Sequence, residues 1–208
     1  MGTEVGRVSD QLNRAFRADA WHGPAVMEIL ADVTAEQAAA RPLANAHTIW
    51  ELVKHMAYWK EVVRERIGGA APETDEARNF PVIRDASPRA WVEALADLER
   101  EHAALREAVE ALEDGQLDEP PPGGRSVLYV QIHGMVQHDL YHAGQIVLLK
   151  KALAGAPARP RVARAAAASG RRVKARAVAA ARRPKGGAAS RRGSAGTAKS
   201  PKGRRRRG

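Results

Sequence analysis

The uneven distribution of charge and aromatic residues along the chain most constrains what it can fold into. Every Trp, Tyr and Phe lies in the first part, and the last is Tyr141. From Pro157 onward there are 18 Lys and Arg and no acidic residue, whereas the first part carries the other 16 basic residues and all 24 acidic ones. A packed core needs apolar side chains to offset the entropy lost on folding. The sequence therefore predicts an acidic folded domain over residues 1–155 and a disordered basic tail over residues 156–208.

The size of the first part and the absence of cysteine restrict its chemistry. A domain of about 155 residues buries roughly 70% of its unfolded surface, so its core needs no cross-links. With no cysteine in the chain, disulfides, thiolate ligands and a cysteine nucleophile are excluded. The first residues lack the apolar region of a secretory signal, and no apolar run approaches the ~20 residues of a membrane helix. These features predict a cytoplasmic protein.

The spacing of apolar residues predicts helices throughout the first part. Apolar side chains recur at intervals of three and four, which is typical of amphipathic helices, and no segment shows the alternation of a strand. Gly23-Pro24 predicts a kink or break in the first helix, and Ser87-Pro88 predicts the start of the third. The sequence thus predicts an all-α four-helix bundle with long connections. The predicted helices span residues 5–32, 48–67, 87–112 and 126–153.

A pair of histidines in the last predicted helix has the spacing of a metal site. His138 and His142 are four residues apart, so both imidazoles lie on one helical face and can reach one ion at about 2.0–2.1 Å. His133 points well away from that face. The pair alone is weak evidence, because histidines four residues apart arise by chance and more often lie on a polar helical face.

The second predicted helix supplies a third imidazole. His55 lies between the apolar residues Leu52 and Met56. A single histidine in such a place is more often a core residue than a ligand. Three histidines that converge in a cavity, however, satisfy one another best through a shared metal, and three protein nitrogens leave a position open for water or substrate.

Three segments of the chain together resemble a known family: IWELVKHMAYWK (49–60), HGMVQHDLYHAGQIVLLKKAL (133–153) and QLNRAFRADAWHGPAVMEIL (11–30). They resemble the DinB-like metal-binding proteins, also called the DinB/YfiT superfamily. The most specific part is HDLYHAGQI. The resemblance covers nearly all of residues 8–153.

The resemblance implies a fold, a metal site and a range of activities. The fold would be a four-helix bundle of up-up-down-down type, and the metal ligands would be His55, His138 and His142. The ion would be zinc, nickel or iron, and dimers are common in the family. Characterised relatives include S-transferases and isomerases that use low-molecular-weight thiols, and other members are described as hydrolases.

Residues near the three histidines are candidates for a substrate pocket. Gln145 follows His142 by three residues and could bond to a ligand, or it could be an ordinary inward polar residue. Tyr58 lies one turn past His55 and could line the cavity.

Other polar residues are predicted to lie away from the site. Asp139 is predicted to be a surface carboxylate or one that supports a ligand, because it points about 100° from the site face. His47 and His102 are predicted to be solvated.

Two functions remain open for the domain. In the first, an ion with an open position lowers the pKa of a thiol or water, so that the protein is a metal-dependent transferase, similar to thiol S-transferases, or a hydrolase. In the second, the protein is a non-catalytic metal-binding or ligand-binding stress protein.

The basic tail predicts contact with nucleic acid. Its positive charges can neutralise phosphates and bind DNA or RNA nonspecifically, but without aromatic residues they cannot stack on bases. A solubilising tail, or one that folds back on the acidic domain, is the alternative. The residues singled out are Arg171, Arg172, Lys174, Arg204, Arg205, Arg206 and Arg207.

Overall fold

The computed structural model describes residues 2–124 and 126–155, and the tail predictions lie outside these residues. Within them, all regular structure is helical, as predicted, with a 3₁₀ turn at Asp114–Asp118 after α6. None of the described helices combines the length and apolar character that a membrane span requires. The α-helices are α1 (Glu4–Phe16), α2 (Val26–Leu30), α3 (Ala35–Ala39), α4 (Ile49–Ile67), α5 (Glu76–Asn79), α6 (Pro88–Glu110) and α7 (Leu128–Gly155).

The first predicted helix is interrupted more strongly than the sequence indicated. Helix α1 ends at Phe16, and Asp19 then adopts a left-handed backbone conformation with φ of 64°. Gly23, with φ of 138°, precedes Pro24 before the short α2 begins. The predicted break at Gly23-Pro24 is confirmed, but a continuous helix on both sides of it is wrong, because the chain already leaves the helical conformation after Phe16.

The two helices of the middle of the chain start where their caps predict. Thr48 accepts a bond from the Glu51 amide at 3.1 Å, and Glu51 accepts one from the Thr48 amide at 2.8 Å, which is a capping box. Ser87 caps α6 by accepting a bond from the Ala90 amide. Both caps satisfy backbone amides that have no partner inside the helix.

Contacts between side chains fix the directions of the four long helices. Helix α4 is antiparallel to α7 and parallel to α6, and α1 is antiparallel to α6. In chain order the long helices therefore run up, down, down, up, and not up-up-down-down as the resemblance implied; connections this long allow either order. The pairs that show this are His55–His138 and Arg66–Gln131, Lys54–Asp97 and Arg64–Glu101, and Ser9–Glu110 and Arg17–Glu99.

The core has two apolar clusters separated by polar side chains. One cluster joins α2 and α3 to the first parts of α4 and α6 and the last part of α7. The other joins α1 to the last parts of α4 and α6 and the first part of α7. Between them along these helices lie buried polar residues, which place chemistry inside the bundle and not on its surface. They are Lys60, His102, Asp139 and His142.

Candidate metal centre

Three imidazoles meet where α4 crosses α7. The Nε2 atoms of His55 and His138 are 2.9 Å apart, and those of His138 and His142 are 3.1 Å apart. His55 and His142 are buried, and His138 is half-buried. One ligand atom from each of the three residues lies within 4.8 Å of the others. The structure thus brings together the three histidines that the sequence selected, and they could hold a metal ion.

Two of the imidazoles are oriented by carboxamides. His55 Nδ1–H donates to Asn79 Oδ1 at 2.6 Å, and His142 Nδ1–H donates to Gln145 Oε1 at 2.7 Å. Asn79 Oδ1 also accepts a bond from the Trp59 indole at 3.1 Å, which fixes the direction of the amide. Because the proton of each neutral ring is held at Nδ1, the lone pair at Nε2 points into the cluster.

The arrangement of protons in the cluster fits a bound cation. The Nε2 lone pairs of His55 and His142 both face Nε2 of His138, which has at most one proton to donate. A shared metal ion would satisfy all three nitrogens at once. Tetrahedral coordination with bonds of about 2.0–2.1 Å requires nitrogens about 3.3 Å apart, only a few tenths of an ångström more than the His55–His138 and His138–His142 distances.

The described part of the chain offers three ligands and leaves a further coordination position open. Across residues 2–124 and 126–155, no fourth His, Asp or Glu joins this group of ligand atoms. Three protein nitrogens with a free position are typical of catalytic zinc sites, whereas structural sites are closed by four protein ligands.

Burial keeps the three rings neutral. Loss of solvent, reinforced by the neighbouring His142, lowers the pKa of His55 to about 4 and that of His138 to about 3. Burial also lowers the pKa of His142. All three rings are therefore neutral near pH 7, each with one nitrogen free of a proton, which is the form that binds a metal.

The connection between α4 and α6 completes the surroundings of His55. Asn79 ends α5, and the next residue, Phe80, stacks on the His55 ring with centroids 4.3 Å apart. Phe80 also stacks on His47, with ring centroids 3.8 Å apart. His47 is exposed, as predicted. The sequence does not predict Asn79 and Phe80 at the site, because α5 has only four residues and the connection around it has no periodicity that marks which side chains point inward.

The two predicted pocket residues lie in different places. Gln145, besides holding His142, lines a cavity of about 260 Å³ whose walls include Leu52 and Leu149. The Tyr58 hydroxyl accepts a bond from the Asp75 amide at 2.7 Å and lines a separate cavity between α4 and α6. Gln145 therefore lines a cavity and contacts His142, whereas Tyr58 lines the other cavity; none of the three candidate ligand histidines lines the Gln145 cavity itself.

Asp139 is not a surface residue. Its side chain is fully buried, and Lys60 Nζ donates to its two oxygens at 2.7 and 2.6 Å. Burial raises the pKa of the Asp139 carboxyl, and the Lys60 ammonium opposes that rise. The alternative of a surface carboxylate is wrong, because α7 packs against both α4 and α1.

His102 is also buried, contrary to the prediction. It is 1% exposed and stacks on Phe16 with centroids 3.8 Å apart. Neither ring nitrogen has a hydrogen-bond partner in the described part of the chain. Burial lowers its pKa to about 2. The charged neighbours Glu101 and Arg106 favour an exposed position for His102 in the sequence, but in the fold the His102 side chain points into the core.

The fold and the site together define a class of protein, the helical bundles that offer a metal ion an open set of histidine ligands. The family model of the DinB superfamily matches residues 20–146, more than half of the chain, and includes all three histidines and Asn79. The chain belongs to the DinB superfamily. No curated protein and no solved structure matches it.

Proposed function

We propose that the protein binds one divalent metal ion through the Nε2 atoms of His55, His138 and His142. The observation that carries this is the convergence of three imidazoles, two of them with their protons held at Nδ1 by Asn79 and Gln145. Zinc, nickel and iron all suit imidazole ligands.

We further propose that the site activates a thiol or water, as in a metal-dependent S-transferase or hydrolase. An ion bound there would lower the pKa of a thiol or water at its open position. A low-molecular-weight thiol is the cosubstrate implied by the family resemblance. In the transfer, the thiol sulfur would form a bond to an electrophilic centre, the leaving group would depart with its electron pair, and the thiol proton would pass to solvent.

We place the substrate in the cavity that Gln145 lines; the three histidines are not among its walls, and Gln145 connects it to His142. Gln145 contacts both the histidine cluster and the cavity, because its carbonyl oxygen accepts a bond from His142 and its side chain lines the cavity. Its amide nitrogen can donate to an acceptor on the ligand. Leucine side chains would contact the apolar part of that ligand, namely Leu43, Leu52, Leu148 and Leu149.

Metal content tests the first part of the proposal. Protein purified without a histidine tag is expected to contain about one divalent ion per chain, or to take up one after reconstitution. The variant His55→Ala/His138→Ala/His142→Ala is the control and is expected to bind none. Equal metal content in both proteins, or none in either after reconstitution, would overturn it.

Turnover tests the second part. Metal-loaded protein is offered a panel of thiols and electrophiles, and the rate is compared with that of the triple-Ala variant. A rate that depends on the three histidines supports an enzyme. Tight metal binding without turnover on any pair would instead favour a non-catalytic metal-binding protein.

The basic tail supports a second function, nonspecific contact with DNA or RNA. From Pro157 onward the chain has 18 positive charges and no acidic residue. Binding of these charges to phosphates would release counterions, so affinity would fall steeply with salt. Removal of residues 156–208 is expected to abolish binding to random duplex DNA at low salt. Equal binding without the tail would contradict this function.

A further inference from the structure

A buried ion pair lies beside the candidate metal centre on the same two helices. Lys60 follows His55 by five residues on α4, and Asp139 directly follows His138 on α7. Both side chains are 0% exposed, and the ammonium donates to both carboxylate oxygens. Lys60 Nζ also lies 5.0 Å from the ring centre of Phe16, which connects the pair to α1.

A gain in folding stability does not explain why Lys60 and Asp139 form a buried ion pair. Removing two charges from water costs about as much as their attraction returns, so a well-packed apolar pair is often equally stable. What distinguishes the pair is its directional geometry. A slip of one residue along a helix displaces it by about 1.5 Å, which would lengthen and misalign both hydrogen bonds, whereas apolar contacts tolerate such movement better.

The metal centre depends on that same axial alignment. His55 comes from α4, while His138 and His142 come from α7, so any sliding between the helices changes the distance from the first ring to the other two. Metal–nitrogen distances tolerate only about 0.2 Å. A contact that fixes the alignment of α4 and α7 close to the site would therefore keep the three rings at metal-binding distance.

We propose that Lys60 and Asp139 are positioning residues, which set the alignment of α4 against α7 and thereby hold His55 at metal-binding distance from His138 and His142. The effect on metal affinity rests on the proposed function, but the effect on ring alignment does not.

The test replaces the pair with apolar residues and uses another α4–α7 contact as control. Lys60→Met/Asp139→Leu removes both charges and leaves neither one unpaired. The matched control, Arg66→Met/Gln131→Leu, removes a polar contact of 3.2 Å between the same helices in a partly buried position. Both variants are first checked for folding by circular dichroism and thermal unfolding.

Ring alignment is measured without metal. Contacts between the His55 ring and the rings of His138 and His142, whose centroids are 4.9 and 4.7 Å away, are followed by NMR. We expect them to weaken in Lys60→Met/Asp139→Leu and to persist in the control. Retained contacts in the apolar variant would overturn the inference, whether or not the wild type binds metal.

Metal affinity is the second readout. Cobalt(II) affinity is expected to fall about 10–100-fold in Lys60→Met/Asp139→Leu, the range seen when groups that orient ligands are removed, and to stay unchanged in the control. Wild-type affinity in the apolar variant would overturn the inference. So would loss of its fold, because the pair would then support the whole bundle. A wild-type protein without cobalt affinity would instead refute the proposed function, and the NMR contacts would still decide the positioning role.

Discussion

The bundle buries imidazoles in two settings that differ in what surrounds their nitrogens. At the crossing of α4 and α7, His55 and His142 have their Nδ1 protons bound to amide oxygens and their Nε2 atoms turned toward His138. At the contact of α6 with α1, His102 stacks on Phe16, and neither of its nitrogens has a partner in the described residues. Burial lowers the pKa in both settings, so a low pKa does not by itself identify a site. What identifies the metal centre is the convergence of imidazole lone pairs on one point.

The largest expected effect separates the two settings by metal affinity. His138→Ala removes the ring that contacts both of the others, and cobalt(II) affinity is expected to fall by more than about 100-fold, beyond the effect of losing an orienting group. His102→Leu is the matched control and should bind cobalt(II) as the wild type does. Titration followed by the visible spectrum measures both. Equal losses in the two variants would remove the distinction between the settings.

Removal of the amide partners is expected to have an intermediate effect. In Asn79→Ala or Gln145→Ala, one imidazole loses the acceptor that holds its proton at Nδ1, and cobalt(II) affinity should fall about 10–100-fold. Glu76, which bonds to Asn79 from outside the cluster, provides the control Glu76→Gln. Wild-type affinity in both alanine variants would show that the amides do not prepare the ligands.

The next effect is the contribution of His102 to the pH dependence of the free energy of unfolding. Its pKa is about 2 when folded and about 6.5 when unfolded, so between these values only the unfolded chain takes up the proton. Stability is therefore lost as pH falls below about 6.5, at up to about 1.4 kcal/mol per pH unit. His102→Leu should make the free energy of unfolding less steep between pH 6 and 4.

Denaturant titrations at several pH values check this slope. His22→Leu serves as control, because His22 is exposed. An unchanged slope in His102→Leu would mean that the buried ring is protonated or solvated in the folded protein.

The smallest effect is expected at Tyr58, which lies on α4 close to His55 but faces the other cavity. Tyr58→Phe removes the bond from the Asp75 amide and should cost about 1 kcal/mol of stability. Cobalt(II) affinity should remain within about twofold of the wild type. A large loss of affinity would place Tyr58 at the metal centre after all.

The parts of this arrangement that repeat along a helix could be predicted from the sequence. Apolar spacing predicted α4, α6 and α7 closely, and the interval between His138 and His142 predicted a shared face. The direction of the helices could not be predicted, because the connections are long enough for more than one order.

The missed residues lie where sequence neighbours say little about surroundings. Asn79 and Phe80 contact His55 from the end of the short α5, and only the folded chain shows that they do. For Asp139 the rotation of about 100° from the site face predicts a surface carboxylate or one that supports a ligand, and for His102 the charged helical face predicts a solvated ring. Each is buried because its helix packs on two others, so that a wider face is covered than a simple amphipathic pattern indicates.

X-ray absorption spectroscopy of the zinc-loaded, untagged protein would examine the metal centre itself. Convergence of His55, His138 and His142 predicts three imidazole nitrogens at about 2.0–2.1 Å, with the remaining coordination from light atoms of solvent. The imidazole signal should diminish in His138→Ala and persist in His102→Leu. A spectrum without imidazole scattering, or one that His138→Ala leaves unchanged, would contradict a metal held by these three residues.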